Sequence, residues 1–249
     1  MEGGKILRNS QIIILGVCVA VATIISSIIF SKGFLKVMQF TREVITVTGS
    51  AQEEITSDFI VWNGSFSRRE VDLATAYKRL KEDLEKVKSY LISKGVSENE
   101  LIASQISTET IYKKNERGND TNEIEGYYLK QDIQIQSNNV YEIEQLSRES
   151  TELIDQEIQF ESQEPEYFYT KLEELKIEML ARATENARQR AENMARATGN
   201  KTGFMRSAKM GVFQITPVNS TEVSDWGVND TSSLRKKVTS VVTVSFAIE

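Results

Sequence analysis

Across 249 residues the sequence has no histidine, a single cysteine and only two prolines. Without histidine, Ser-His-Asp and Cys-His nucleophile systems have no base, and zinc sites of the His/Cys kind have no ligands. The one cysteine, Cys18, lies inside an apolar segment, so no disulfide can form within the remainder of the chain. Stability there must come from packing. Two prolines and thirteen glycines exclude a collagen-like or low-complexity protein. No Gly-rich phosphate loop, EF-hand or metal-spaced carboxylate cluster occurs, so no cofactor and no metal is expected.

Basic charge is scarce outside the N-terminus. Residues 1–42 carry five basic groups (Lys5, Arg8, Lys32, Lys36, Arg42) against Glu2, a net of +4, while the whole chain is −6. Residues 43–249 therefore carry −10, which repels phosphate backbones, and no basic stripe with interleaved aromatics offsets it. A nucleic-acid partner is not expected.

What the N-terminus does have is a long apolar run. Ile12–Phe30 contains no charge and, at ~1.5 Å per residue, spans roughly 28 Å as a helix, close to the hydrocarbon thickness of a bilayer. Cleavage after the small-x-small stretch Ala20-Val21-Ala22 would cut through this run, which continues to Phe30. Leu15-Gly16-Val17-Cys18 has the outline of a lipoprotein signal, but the run before Cys18 is short and Val17 stands where a small residue belongs. An uncleaved signal-anchor is therefore expected, with residues 1–11 as a cytoplasmic N-terminus, 12–30 as the span and 31–42 as a juxtamembrane connector. Lys5 and Arg8 before the span nearly balance Lys32 and Lys36 after it, so charge alone does not orient it. A short N-terminus stays inside most readily, which puts the C-terminal region outside a cytoplasmic membrane. Gly16, Ala20, Thr23 and Ser27 share one face, and small residues at that spacing let two membrane helices approach closely.

From Glu43 the pattern is that of an α+β domain covering 43–249, with antiparallel sheets and long packed helices. Ile45, Val47 and Gly49 alternate with Val44, Thr46 and Thr48, and a second β-rich run, Phe59–Ser67, suggests a hairpin partner. Asp72 is a good N-cap for a helix with Leu73, Ala76, Tyr77, Leu80, Leu84, Val87 and Leu91 on one stripe, and Gly95 supplies its stop. Lys78, Lys81, Glu82, Asp83, Glu85, Lys86 and Lys88 read as its solvated face. Ser97 and Glu100 form a capping box before a strand near Ile102–Tyr112. The polar stretch Lys113–Glu123 is a hairpin tip, and Tyr127, Leu129, Ile133 and Ile135 alternate with polar residues in the return strand. A helix over Val140–Ile154 and a strand over Ile158–Ser162 follow. Pro165 is placed to open a long helix reaching Thr198, with Gly199 as its stop. Within that helix Ala183, Ala187, Ala191 and Ala195 recur every four residues. Such a ridge serves either close packing on a sheet or a seam between subunits. Strands over Thr202–Ile215, a polar loop over Pro217–Ser233 and a final strand carrying Val238, Val242, Val244, Phe246 and Ile248 complete the order.

Ile45-Thr46-Val47-Thr48-Gly49, Asp58 with its following strand, Ser93-Lys94-Gly95-Val96, Thr108–Tyr112, Gly126-Tyr127 and the alanine-rich stretch Ala181–Gly199 together resemble the SIMPL-domain family over roughly residues 43–249. Ser57 stands where that family usually has proline, and Ser50-Ala51 replaces a Gly/Glu-rich turn. The resemblance implies an exported bacterial envelope protein. Relatives include immunogenic periplasmic proteins that assemble into ring-like or barrel-like oligomers, and others linked to oxidative-stress tolerance.

The expectation is a membrane-anchored, non-enzymatic protein that forms homo-oligomers and serves as scaffold or binding module. Its candidate self-association residues are Gly16, Ala20, Thr23 and Ser27 in the span and Ala183, Ala187, Ala191 and Ala195 in the long helix. One alternative is a tethered adaptor using loops Lys113–Glu123 and Pro217–Ser233 for another envelope protein. A second is a carboxylate-dependent glycan hydrolase using acids such as Glu157 and Glu161, because paired acids are what that chemistry needs.

Overall fold

A computed structural model describes residues 3–249; the side chains of residues 3–13, 36 and 38–42, which include Lys5, Arg8, Ile12, Lys36 and Arg42, lie outside the described residues. The chain opens with helix α1 (Gly3–Arg42), then β1 (Val44–Thr56), β2 (Phe59–Glu70), α2 (Leu73–Ser93), β3 (Leu101–Ala103), β4 (Ser107–Lys114) and β5 (Asp120–Ser137). Next come α3 (Val140–Glu149), β6 (Gln159–Ser162), β7 (Glu166–Phe168) and α4 (Leu172–Ala197). The chain closes with β8 (Thr202–Met210), β9 (Gln214–Pro217), β10 (Val228–Asn229) and β11 (Arg235–Ile248). This is an α+β fold preceded by one long apolar helix.

Two compact units are present: Met1–Ala51 with Leu180–Gly211 and Val241–Glu249, and Gln52–Met179 with Val212–Ser240. In the first, α1 contains Ile14–Leu35, 22 residues long and apolar enough to cross a membrane, with its side chains facing out of the protein. The helix runs on without a break through residues 31–42. The start of β1 pairs with the end of β11, and the end of β11 also pairs antiparallel with β8, from Val242↔Met210 to Ile248↔Thr202. The C-terminal half of α4 lies over this sheet. Ala183, Ala187 and Ala191 are fully buried and form one apolar cluster with Val47, Val242, Val244 and Phe246, and Ala195 is 1% exposed. Of the two uses open to the alanine ridge, packing on the chain's own sheet accounts for its burial. Gly49 lets the helix approach, because a Cβ there would fall on the Ala183 carbonyl oxygen and the Ala187 amide nitrogen.

In the second unit β2 is the central strand. It pairs along its length with β5, from Ile60↔Ser137 to Glu70↔Tyr127, and on its other side with β6 and β7. β1 and β2 are consecutive but do not form the hairpin suggested by their spacing, since they take partners in different sheets. Helix α2 begins where Asp72 accepts from the Thr75 amide at 2.8 Å, and ends before Gly95 at φ +101°. Its buried face is Ala76, Leu80, Asp83, Val87 and Leu91; Leu73 and Tyr77 stay exposed. These pack with Ile60, Trp62, Phe66, Leu129, Ile133 and Ile135 from the sheet. The long helix does not start at Pro165. Residues Glu166–Phe168 are drawn into pairing with β2, and the carboxylate of Asp58 accepts from the Thr170 amide and hydroxyl, each at 2.7 Å, so α4 begins at Leu172.

Candidate functional site

Two buried charged groups tie elements together, while Ser57 Oγ, Gln131 Oε1, Asp230 Oδ2 and Ser240 Oγ are buried without a hydrogen-bond partner. Asp83, read from sequence as solvated, is 1% exposed and receives a two-pronged hydrogen bond from Arg68, whose Nη2 lies 2.8 Å from Oδ1. That bond raises the Arg68 pKa further, so the guanidinium ties β2 to α2 as a permanent cation. Lys236 is 3% exposed on β11; its ammonium donates to the carbonyl of Tyr167 at 2.7 Å and to that of Asp230. Burial pushes its pKa below the ordinary lysine range, with the Asp230 charge opposing. Burial raises the Asp230 carboxyl, but hydrogen bonds from Ser232 and Ser233 and the Lys236 charge overcome it and leave it below its usual value.

Of the sequence's carboxylate candidates, Glu157 precedes β6 and Glu161 lies on it. Glu161 is exposed on β6 with its nearest cation, Lys130, at 3.5 Å, while Glu157 occupies a left-handed turn at φ 61°. No group of three or more His, Cys, Asp or Glu side chains with metal-binding geometry occurs among the described residues. The open grooves along α4 belong to edge protection. Asn186 Oδ1 accepts from the Ser50 amide at 3.1 Å and Arg190 donates to the Thr48 carbonyl at 3.0 Å. Side chains of α4 thus occupy backbone groups of β1 that another strand would otherwise use.

The molecule's distinctive surfaces are projections. β5 is paired by β2 only as far as Tyr127, whereas β4 pairs with it out to Lys114↔Asp120. Past Gly126 the hairpin is therefore an arm of two strands with no third strand beside it. Its turn is well formed: Asn115 Oδ1 accepts from the amides of Arg117 and Asn119, both at 3.0 Å, and Gly118 takes φ +80°. The arm displays the facing pair Tyr112 and Ile124, 40% and 49% exposed. A second projection is the polar loop after β9. Gln214 pins it by donating to the Ser224 carbonyl at 2.6 Å, and the loop holds Trp226 at 94% exposure beside Val223. The expected loops were Lys113–Glu123 and Pro217–Ser233; β5 already begins at Asp120 and β10 lies within the second stretch, because pairing with β4 and β9 draws these polar residues into strands. Trp226 was missed, since an exposed tryptophan looks like a core one until its surroundings are known.

Gly16, Ala20, Thr23 and Ser27 lie exposed on α1; Thr23 donates to the Ala20 carbonyl at 2.8 Å, and a Cβ at Gly16 would meet nothing within 4 Å. The four alanines of α4 are buried inside the first unit.

Comparison with protein families matches residues 45–246 to SIMPL, described as a protein of unknown function (DUF541). The chain belongs to the SIMPL family. Curated proteins give no match. Among the residues that carry the sequence resemblance, the alanine ridge, Gly49 and Asp58 seat α4 on its sheet and set its start.

Proposed function

We propose that this SIMPL protein is a non-catalytic assembly module of the cell envelope, held in the cytoplasmic membrane by α1 with residues 43–249 outside. It self-associates through the β4–β5 arm. The observation that carries this is the arm itself: a two-stranded ribbon is marginal in water, yet this one extends past its sheet with Tyr112 and Ile124 outward. A neighbour's strand or apolar surface would cover those side chains and the free edge of β4. The small-residue face of α1 favours helix pairing within the bilayer and would raise the local concentration of arms. Tolerance of envelope stress is the physiological role most in keeping with the family resemblance.

Light scattering of the full chain in mild detergent gives the test. A discrete multimer is expected, falling in mass when Tyr112→Lys and Ile124→Lys are combined. A single protomer at high concentration contradicts self-assembly. It would favour the tethered adaptor, for which exposed Trp226 and Val223 are the specific support. Catalysis is not part of this function: peptidoglycan incubated with the protein should release no product, and product lost in Glu157→Gln or Glu161→Gln would refute that.

A further inference from the structure

Charge is divided unequally between the two units. Outside the membrane helix, the unit that carries α1 has seven basic side chains and four acidic ones across residues 43–51, 180–211 and 241–249, a net of +3. The other unit has eighteen basic and thirty-one acidic, a net of −13. Within the basic unit, residues 201–210 hold Lys201, Arg206 and Lys209 and no acid; the backbone of Lys201 pairs with that of Glu249.

The same segment is the most exposed strand of the fold. In β8, register shifts interrupt the pairing on either side of Met205, and the seven residues Phe204–Met210 are all exposed, with Phe204 at 77%, Met205 at 55% and Met210 at 54%. The packed ridge of α4 covers β1 and β11 but leaves β8 bare. Bulges and cations are devices that discourage strand pairing at an edge. Like charges on Arg206 and Lys209 also disfavour two copies of β8 meeting.

The Ile248 amide donates to the Glu43 carbonyl at 3.1 Å, and Lys201 and Glu249 exchange two backbone bonds at 2.8 Å. The end of the sheet where β1 begins, β11 ends and β8 begins is therefore the end attached to α1. Leu35 closes the apolar span, and Glu43 is eight residues on, about 12 Å of helix. An aromatic, a thioether and two cations on a strand tied to a membrane helix, with Lys201 just before that strand, have the chemistry of an interfacial contact.

We propose that β8 rests on the membrane surface, with Phe204 and Met205 at the headgroup level and Lys201, Arg206 and Lys209 against the phosphates of anionic lipids. The acidic unit is repelled by the same surface. The membrane thus serves as an anchor for α1 and also as a docking plane for the unit next to it. The proposal rests on α1 crossing the bilayer, and the test reports on that separately.

The full chain is reconstituted in nanodiscs of phosphatidylcholine, with and without phosphatidylglycerol, and spin-labelled at single cysteines. Native Cys18 reports on the span; Met205→Cys and Trp226→Cys, each with Cys18→Ser, report on β8 and on the acidic unit. Collision with oxygen should exceed collision with a water-soluble nickel chelate at positions 18 and 205 in anionic discs, and the reverse should hold at 226. Each basic residue replaced among Lys201→Gln, Arg206→Gln and Lys209→Gln should shift the bound equilibrium of β8 about fivefold toward water without altering the Cys18 signal. Nickel access at 205 equal to that at 226 in both lipids overturns the proposal. Shielding of 205 from both reagents also overturns it, in favour of a protein covering β8. Nickel access at Cys18 overturns the membrane reading of α1 and the proposal with it.

Discussion

Gly49→Ala is the smallest change that tests how α4 is seated. The added methyl would fall on the Ala183 carbonyl oxygen and the Ala187 amide, and 2.7 Å from the Ala187 Cβ, where ordinary contacts begin at 3.4 Å. Two of the three obstacles are backbone, so no rotamer change relieves the clash; the helix must retreat by about 1 Å or the strand must bow. Retreat opens gaps along the whole ridge, where Ala183, Ala187 and Ala191 meet Val47, Val242, Val244 and Phe246. Overpacking of this kind costs about 1–3 kcal/mol, and the reduced freedom of the unfolded chain returns about 0.4–1 kcal/mol, leaving a net loss of about 1 kcal/mol. Both tryptophans, Trp62 and Trp226, belong to the unit that lacks Gly49, so their fluorescence is a poor reporter here. Hydrogen exchange is the suitable assay. Faster exchange is expected over residues 180–197 and 202–210, with residues 127–137 as the internal reference. Gly33→Ala, with open space around it, should leave these rates unchanged. Wild-type exchange in Gly49→Ala would refute the close backbone approach.

Further consequences can be measured alongside. Asp83→Asn leaves the Arg68 guanidinium, 20% exposed, without its counter-charge, and the urea midpoint should fall by an amount equivalent to about 2 kcal/mol. Unchanged stability would mean that the ion pair is replaceable by water. Gly95→Ala places a Cβ at φ +101° and should cost about 1 kcal/mol by the same titration. Burial lowers the folded pKa of Lys236 below its ordinary 10.5, so between the two values the unfolded chain binds the extra proton and stability rises with pH. The stability difference between wild type and Lys236→Met should therefore be flat near neutrality and climb in favour of wild type as pH approaches 10.5. A falling difference would contradict the sign. Trp226→Phe should remove nearly all iodide quenching, since the remaining Trp62 is fully buried.

Local signals were the readable ones. Asp72 as cap, Gly95 as stop, the Ser97–Glu100 box and the alternation of β5 and β11 depend on neighbours within a few residues, and the structure has them where the pattern puts them. Partner choice is a different matter. β1 takes β11 nearly two hundred residues later, so its adjacency to β2 was misleading. The three residues of β7 are too few to show a period, and their pairing with β2 displaced the start of α4 from Pro165 to Leu172. Asp83 sits among surface charges in the sequence, and only the arrival of Arg68 from another element makes it interior. No linker composition marks the two units, because three of the four crossings between them lie within β1, α4 and β11 and the fourth is the short β8–β9 connection. Of the candidate surface, the polar tip of the arm was legible; the lack of a third strand beside it, and the exposure of β8 and Trp226, follow from tertiary pairing alone.

Self-assembly is the central claim, and the mass of the full chain in detergent tests it most directly. One discrete multimer, reduced to a single protomer or a helix-paired dimer by Tyr112→Lys with Ile124→Lys, is the predicted result. A monodisperse protomer at high concentration, or a multimer indifferent to both substitutions, would contradict an arm-built assembly.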